Sequence, residues 1–229
     1  MLMFILLAGA FSLTPIELSA QDSAGGDSAV EQWFESTPSA SRYDGIREEL
    51  EQAHEAVTDE QIPDEPVRRF PREAAVKRVA PDSLLPAFEA HLDRLVSAAE
   101  AIDNAGGASA LDGDPDSMLE TAAAFLRTGA TADTLSLLLE QAASARHARE
   151  AFFTLAELYE IDDLSDEQLR ELGQSILGSG LSADSYGSVA SLYVQGRARR
   201  RSASRVISAI TDTLDEGGGL VQVRRALRQ

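Results

Sequence analysis

Residues 83–104 read SLLPAFEAHLDRLVSAAEAIDN, and their spacing points to an all-helical chain. Leu84, Leu85, Phe88, Leu92, Leu95, Val96, Ala99 and Ile102 recur at spacings of three and four, so one apolar stripe runs down a single helix. Pro86 falls in the first turn, where its missing N–H costs nothing. Gly106 and Gly107 then supply a left-handed stop. A helix with one apolar face has to bury it, and the neighbouring sequence offers only other helices as partners.

Working toward the C-terminus, the punctuation repeats. Gly129-Ala-Thr-Ala-Asp-Thr-Leu135 matches Gly180-Leu-Ser-Ala-Asp-Ser-Tyr186 in chemical type: a helix-closing glycine, a Thr or Ser cap, then an Asp in the first turn. A looser instance is Gly217-Gly218-Gly219 before Leu220. Ser165-Asp166-Glu167-Gln168 is a capping box, and Thr58-Asp59-Glu60-Gln61 is another. These marks predict helices near 117–128, 131–145, 147–160, 166–178, 182–195, 202–215 and 219–228. Each is too short to hold alone in water, so their stripes must bury one another. The expected fold is all-α, an irregular array of short helical hairpins: an orthogonal bundle or a small solenoid. Uneven spacing of the echoes favours the irregular orthogonal array.

Toward the N-terminus, an amphipathic helix is expected from Tyr43 to Val57. The proline-rich connection Ile62-Pro63-Asp64-Glu65-Pro66 follows, and then a short helix from Arg72 to Val79. The Ile-Pro-x-x-Pro-Val segment, the basic short helix and Val79-Ala80-Pro81-Asp82-Ser83-Leu84 opening a long helix resemble a family of exported, all-helical bacterial proteins with no assigned function. The resemblance spans residues 58–229 and departs from the family pattern at Glu73-Ala74, where a Glu-Gly pair is usual. It implies helical hairpins punctuated by glycine and an exported protein, and no catalytic residue.

Residues 1–13, MLMFILLAGAFSL, are almost wholly apolar and lead to Leu18-Ser19-Ala20, the pattern of a secretory signal peptide. Thr14, Pro15 and Glu17 interrupt the run, which argues against a permanent membrane anchor. Residues 21–41 are rich in Ser, Ala, Gly and Asp. The expected organisation is a signal peptide at 1–20, a flexible linker at 21–42 and one helical domain at 43–229. Localisation is expected to be periplasmic or secreted. The chain has no cysteine. That excludes disulfides, thiolate metal sites, a cysteine nucleophile and a lipid on an N-terminal Cys.

Charge is unevenly placed. The net charge is −18, yet residues 196–229 carry 8 arginines against 3 acids. The acidic remainder argues against nucleic acid as a partner. Arg197, Arg199, Arg200, Arg201 and Arg205, joined by Arg224, Arg225 and Arg228, either neutralise the protein's own acids or dock an anionic partner such as an acidic protein, a phospholipid surface or a cell-wall polymer.

Other candidates for chemistry reduce to structure. Asp112, Asp114 and Asp116 begin like a calcium loop, but Ser117 replaces the required Gly and Ala123 the closing Glu. His54, His91 and His147 lack partners at ligand spacing and read as surface or interface residues. Gly178-Ser179-Gly180 is a helix-ending turn rather than a nucleophile elbow, and Asp162-Asp163 offsets a helix dipole. Trp33-Phe34 reads as a stray pair or docking motif in the linker. No catalytic, cofactor-binding or metal residue is assigned. The expectation is an exported non-enzymatic scaffold or binding module, with an enzyme built from dispersed carboxylates and arginines as the alternative.

Overall fold

The structure, a computed structural model, describes residues 28–57, 62–106 and 115–228. Among those residues it holds eleven α-helices and no strand. They are α1 (Ala29–Ser36), α2 (Arg47–Glu55), α3 (Asp64–Val76), α4 (Pro81–Asn104), α5 (Pro115–Leu126), α6 (Ala132–Gln141), α7 (Ala145–Asp162), α8 (Asp166–Gly178), α9 (Gly187–Ala198), α10 (Ala203–Asp215) and α11 (Leu220–Ala226). Two 3-10 segments, Pro38–Ile46 and Ala183–Ser185, join α1 to α2 and α8 to α9.

Each helix packs on the next but one. The odd helices stack in the order α1, α3, α5, α7, α9, α11, and the even ones in the order α2, α4, α6, α8, α10. Consecutive helices such as α4 with α5, α7 with α8 and α10 with α11 close the space between these two layers. That stacking order is the one a small two-layer solenoid has, one of the two forms the sequence led us to expect. The stripe on α4 lies between the layers, with Leu84, Phe88, Leu92 and Leu95 buried.

The repeat is written in the backbone rather than in glycine. The turns entering α4, α6, α8 and α10 each place a left-handed residue three positions before the helix: Arg78 (φ 56°), Gly129 (φ 86°), Asp163 (φ 48°) and Arg200 (φ 62°). In the last three, a Thr or Ser follows two residues on and accepts an N–H from the first turn: Thr131, Ser165 and Ser202. Their period is roughly 35 residues, the length of a two-helix repeat. Only one of the four turns shows it as glycine, so the sequence echo paired α6 with α9, which lie in different layers. Gly180 has no positive φ and open space around it, so its expected left-handed role is corrected; α8 ends earlier, with Ser179 extended.

Two further expectations change. The linker at 21–42 does not hold for residues 28–42. Ser28 caps α1, and Trp33 is fully buried, its ring 5.7 Å from Tyr43 and 4.6 Å from Phe34. Ala29, Val30 and Trp33 form a short helical stripe that averaged composition concealed. The helical body therefore extends at least to Ser28, and the hydrophobic core runs from Ala29 to Leu227. The proline-rich connection is helical from Asp64 onward, after an extended Pro63, and α3 includes both Pro66 and Pro71. Pro66 lies in the first turn, where no helical bond is lost, and Pro71 is buried. Gly106 is left-handed (φ 111°), as expected. Residues 1–20, Gly107, the Thr58–Gln61 box, Asp112 and Asp114 lie outside the described residues.

Candidate functional site

The odd layer is thinnest where α3 meets α5. Ala123 and Ala124 of α5 are small, so the two helices leave a cleft of about 240 Å³ whose back wall is α4. From α4 it receives His91 and Arg94, from α3 Arg69, Phe70 and Glu73, from α5 Glu120, and from just past the end of α5 Arg127. Arg69 Nη1 donates to Glu120 Oε2 at 2.5 Å, bridging the mouth between α3 and α5. Glu73 takes Lys77 Nζ at 3.2 Å.

His91 is held on two sides. Its ring stacks on Phe70 (4.6 Å, 15°), and Nε2 lies 3.3 Å from the Pro66 carbonyl. Burial pushes its pKa below the ordinary imidazole value. The Pro66 carbonyl opposes that, while Arg94 and Arg127 push further down and Glu73 pulls up. Arg94 is half-buried, and its pKa is lowered by burial and then by the Arg127 charge, with Asp93 opposing. Neither Arg94 nor Arg127 forms an ion pair with a carboxylate among the described residues.

The second feature is the basic end. Arg197, on the last turn of α9, reaches back to α7: Nε donates to Asp162 Oδ2 at 2.5 Å and Nη2 to Oδ1 at 2.8 Å. Tyr193 donates its hydroxyl to the same carboxylate at 2.6 Å. Arg197 Nη1 also donates to the Arg201 carbonyl, which fixes the α9–α10 turn. Asp162 is held below the usual carboxylate range, first by Arg197 and then by Tyr193. Arg199 Nη1 donates to the Leu227 carbonyl at 2.7 Å, tying that turn to the end of α11. The run Arg197–Arg205 is therefore split. Its first members are spent inside the fold, whereas Arg200, Arg201 and Arg205 meet no carboxylate among the described residues. The tie through Leu227 brings Arg224, Arg225 and Arg228 to the same end.

The sequence missed the cleft and misread Asp162, which anchors Arg197 rather than offsetting a dipole. His54 is buried rather than solvated, against the expectation for its helix face. His147 turns inward, its Nδ1 2.9 Å from Ser144 Oγ. Asp166, which the sequence placed only within a capping box, accepts the Thr131 backbone N–H at 2.8 Å and so ties the starts of α6 and α8 together. Ser179 Oγ donates to the Ile176 carbonyl, the geometry of a helix-ending turn. No group of His, Asp or Glu among the described residues is arranged to hold a metal ion. Compared with protein-family models, curated proteins and solved structures, the chain matches none.

Proposed function

We propose that this chain is an exported, non-enzymatic helical protein that serves as a scaffold or binding module and meets an anionic surface through its basic end. The observation that carries the reading is the division of the arginines. Arg197 and Arg199 brace the α9–α10 turn, and the braced turn presents Arg200, Arg201, Arg205, Arg224, Arg225 and Arg228 together without carboxylate partners among the described residues. A chain with 38 acidic residues has ample acids to neutralise these cations and does not use them. A two-layer solenoid suits such a role, because it lays side chains along extended faces. Export rests on the apolar run at 1–13 and on the family resemblance. Among the described residues no helix is long and apolar enough to cross a membrane, so contact with a lipid surface would be peripheral and electrostatic.

Clustered arginines near an anionic bilayer contribute about 1 kcal/mol each at modest ionic strength. The protein is expected to co-sediment with phosphatidylglycerol vesicles and not with phosphatidylcholine vesicles. Replacing Arg200, Arg201 and Arg205 together with Gln should abolish the retention. Equal retention by the triple variant would overturn the reading.

A further inference from the structure

We propose that the cleft between α3 and α5 binds a small organic anion, with its carboxylate or phosphate held between Arg94 and Arg127 and its apolar part lying against Phe70 and Ala123. This goes beyond the reading of the basic end and stands apart from it.

The cations of the chain divide by what they meet. Arg47, Arg68, Arg69, Arg72, Lys77, Arg146 and Arg197 each find a carboxylate. Most of the remaining cations, which meet no carboxylate among the described residues, stand exposed on the surface. Arg94 and Arg127 differ from these by place: the half-buried Arg94 and the exposed Arg127, just past the end of α5, line one cleft. Their charges repel each other, and the half-buried Arg94 is also partly stripped of water. Two cations held this way stabilise the fold poorly and an incoming anion well, since a guanidinium offers paired donors to a planar or tetrahedral oxyanion. Helix-end electrostatics account for Arg127, just past the C-terminus of α5, but not for Arg94 in mid-helix.

The two carboxylates that line the cleft are already engaged, Glu120 by Arg69 and Glu73 by Lys77, and Asp93 only partly offsets the charge of Arg94. Both remain at the rim, where they would repel a second negative group and favour a ligand with one anionic head. The rest of the wall is apolar or flat. Phe70 is locked by its stack on His91, and Ala123 leaves the space that a larger side chain would fill. At about 240 Å³ the cleft falls below the range of about 300–1,000 Å³ common for drug-sized ligands, so the occupant is of fragment size.

The test uses the full chain with phenyl phosphate, benzoate, inorganic phosphate and neutral phenol, read by calorimetric titration and by thermal unfolding. At least one of the two aromatic anions should bind at millimolar concentration or tighter, exceed inorganic phosphate and raise the unfolding temperature; phenol should do neither. Which aromatic anion is preferred identifies the head group as phosphate or carboxylate. Arg94→Gln and Arg127→Gln should each weaken binding by about tenfold or more, the value of a lost charge-assisted hydrogen bond. Without ligand, both variants should unfold at or above the wild-type temperature, because repulsion is relieved. The triple Gln variant at the basic end should bind the anion normally. The proposal is overturned by failure of both aromatic anions to bind, by equal binding of phenol, or by undiminished binding in the two cleft variants. Lower unliganded stability in those variants would also overturn it, by making the arginines structural, as would loss of anion binding in the basic-end variant.

Discussion

Gly129 sits at φ 86° with no atom close enough to resist a side chain, so its backbone angle alone makes glycine the right residue there. Valine at this position should cost about 1–2 kcal/mol, because a β-branched side chain strains in the left-handed region. Valine at Gly180, which lacks a positive φ, should stay within about 0.5 kcal/mol of wild type. Equal losses at the two sites in urea unfolding would mean that the turns are misassigned. The converse substitutions test the same repeat. Arg78→Gly, Asp163→Gly and Arg200→Gly remove left-handed strain and should raise stability by up to about 1 kcal/mol each.

Protonation also acts at the residue scale. His54 and His91 both have pKa values lowered from 6.5, burial being the first cause in each. The unfolded chain therefore takes up protons first as the pH falls through the ordinary imidazole value. Stability should decline from there until the pH passes below the depressed folded values. His91→Gln should flatten part of that decline in urea midpoints measured between pH 7 and pH 5; an unchanged slope would show that His91 takes up its proton alike in the folded and the unfolded chain. Asp162 adds a separate loss in more acid solution. Its lowered pKa contributes stability above the ordinary carboxylate value, and that contribution disappears as the pH falls through the folded one.

At the scale of the element, α1 is where composition misled. The Ser, Ala, Gly and Asp of residues 21–41 suggested a linker, yet Ser28 caps a helix whose Trp33 is fully buried. Trp33 is the one tryptophan in the chain, so its emission should be blue-shifted and shielded from iodide. A red, quenchable spectrum would contradict the packing of α1. Trp33→Ala should destabilise by about 3–5 kcal/mol, the usual result of emptying a large aromatic site. Helices α4, α6, α8 and α10 were legible because three- and four-residue spacing, Ser/Thr caps and the Ser165–Gln168 box are local signals. The stacking order was not, because the recurring feature is a backbone angle carried by Arg, Gly, Asp and Arg in turn. The α3 helix was hidden by its prolines, which suit a first turn and a buried position. The cleft was illegible for a similar reason: His91 and Arg94 are far in sequence from Phe70 and Arg127, and only the thin α3–α5 contact brings them together.

At the scale of the whole molecule, charge is unevenly placed, with an arginine-rich end at residues 196–229 on an otherwise acidic chain. Arg197 and Arg199 belong to the fold, so changing them should lower stability regardless of salt. The outward arginines should behave differently, because an exposed charge is screened beyond about 8–10 Å near physiological ionic strength. The most direct measurement is therefore a paired one on the Arg200, Arg201 and Arg205 triple Gln variant: thermal unfolding at low and high salt, and retention on phosphatidylglycerol vesicles at the same two salt concentrations. The account expects stability within about 0.5 kcal/mol of wild type at either salt, wild-type retention that fades as salt rises, and no retention of the variant. A variant that loses stability at low salt yet still binds the vesicles would contradict it, because those arginines would then serve the protein's own acidic helices.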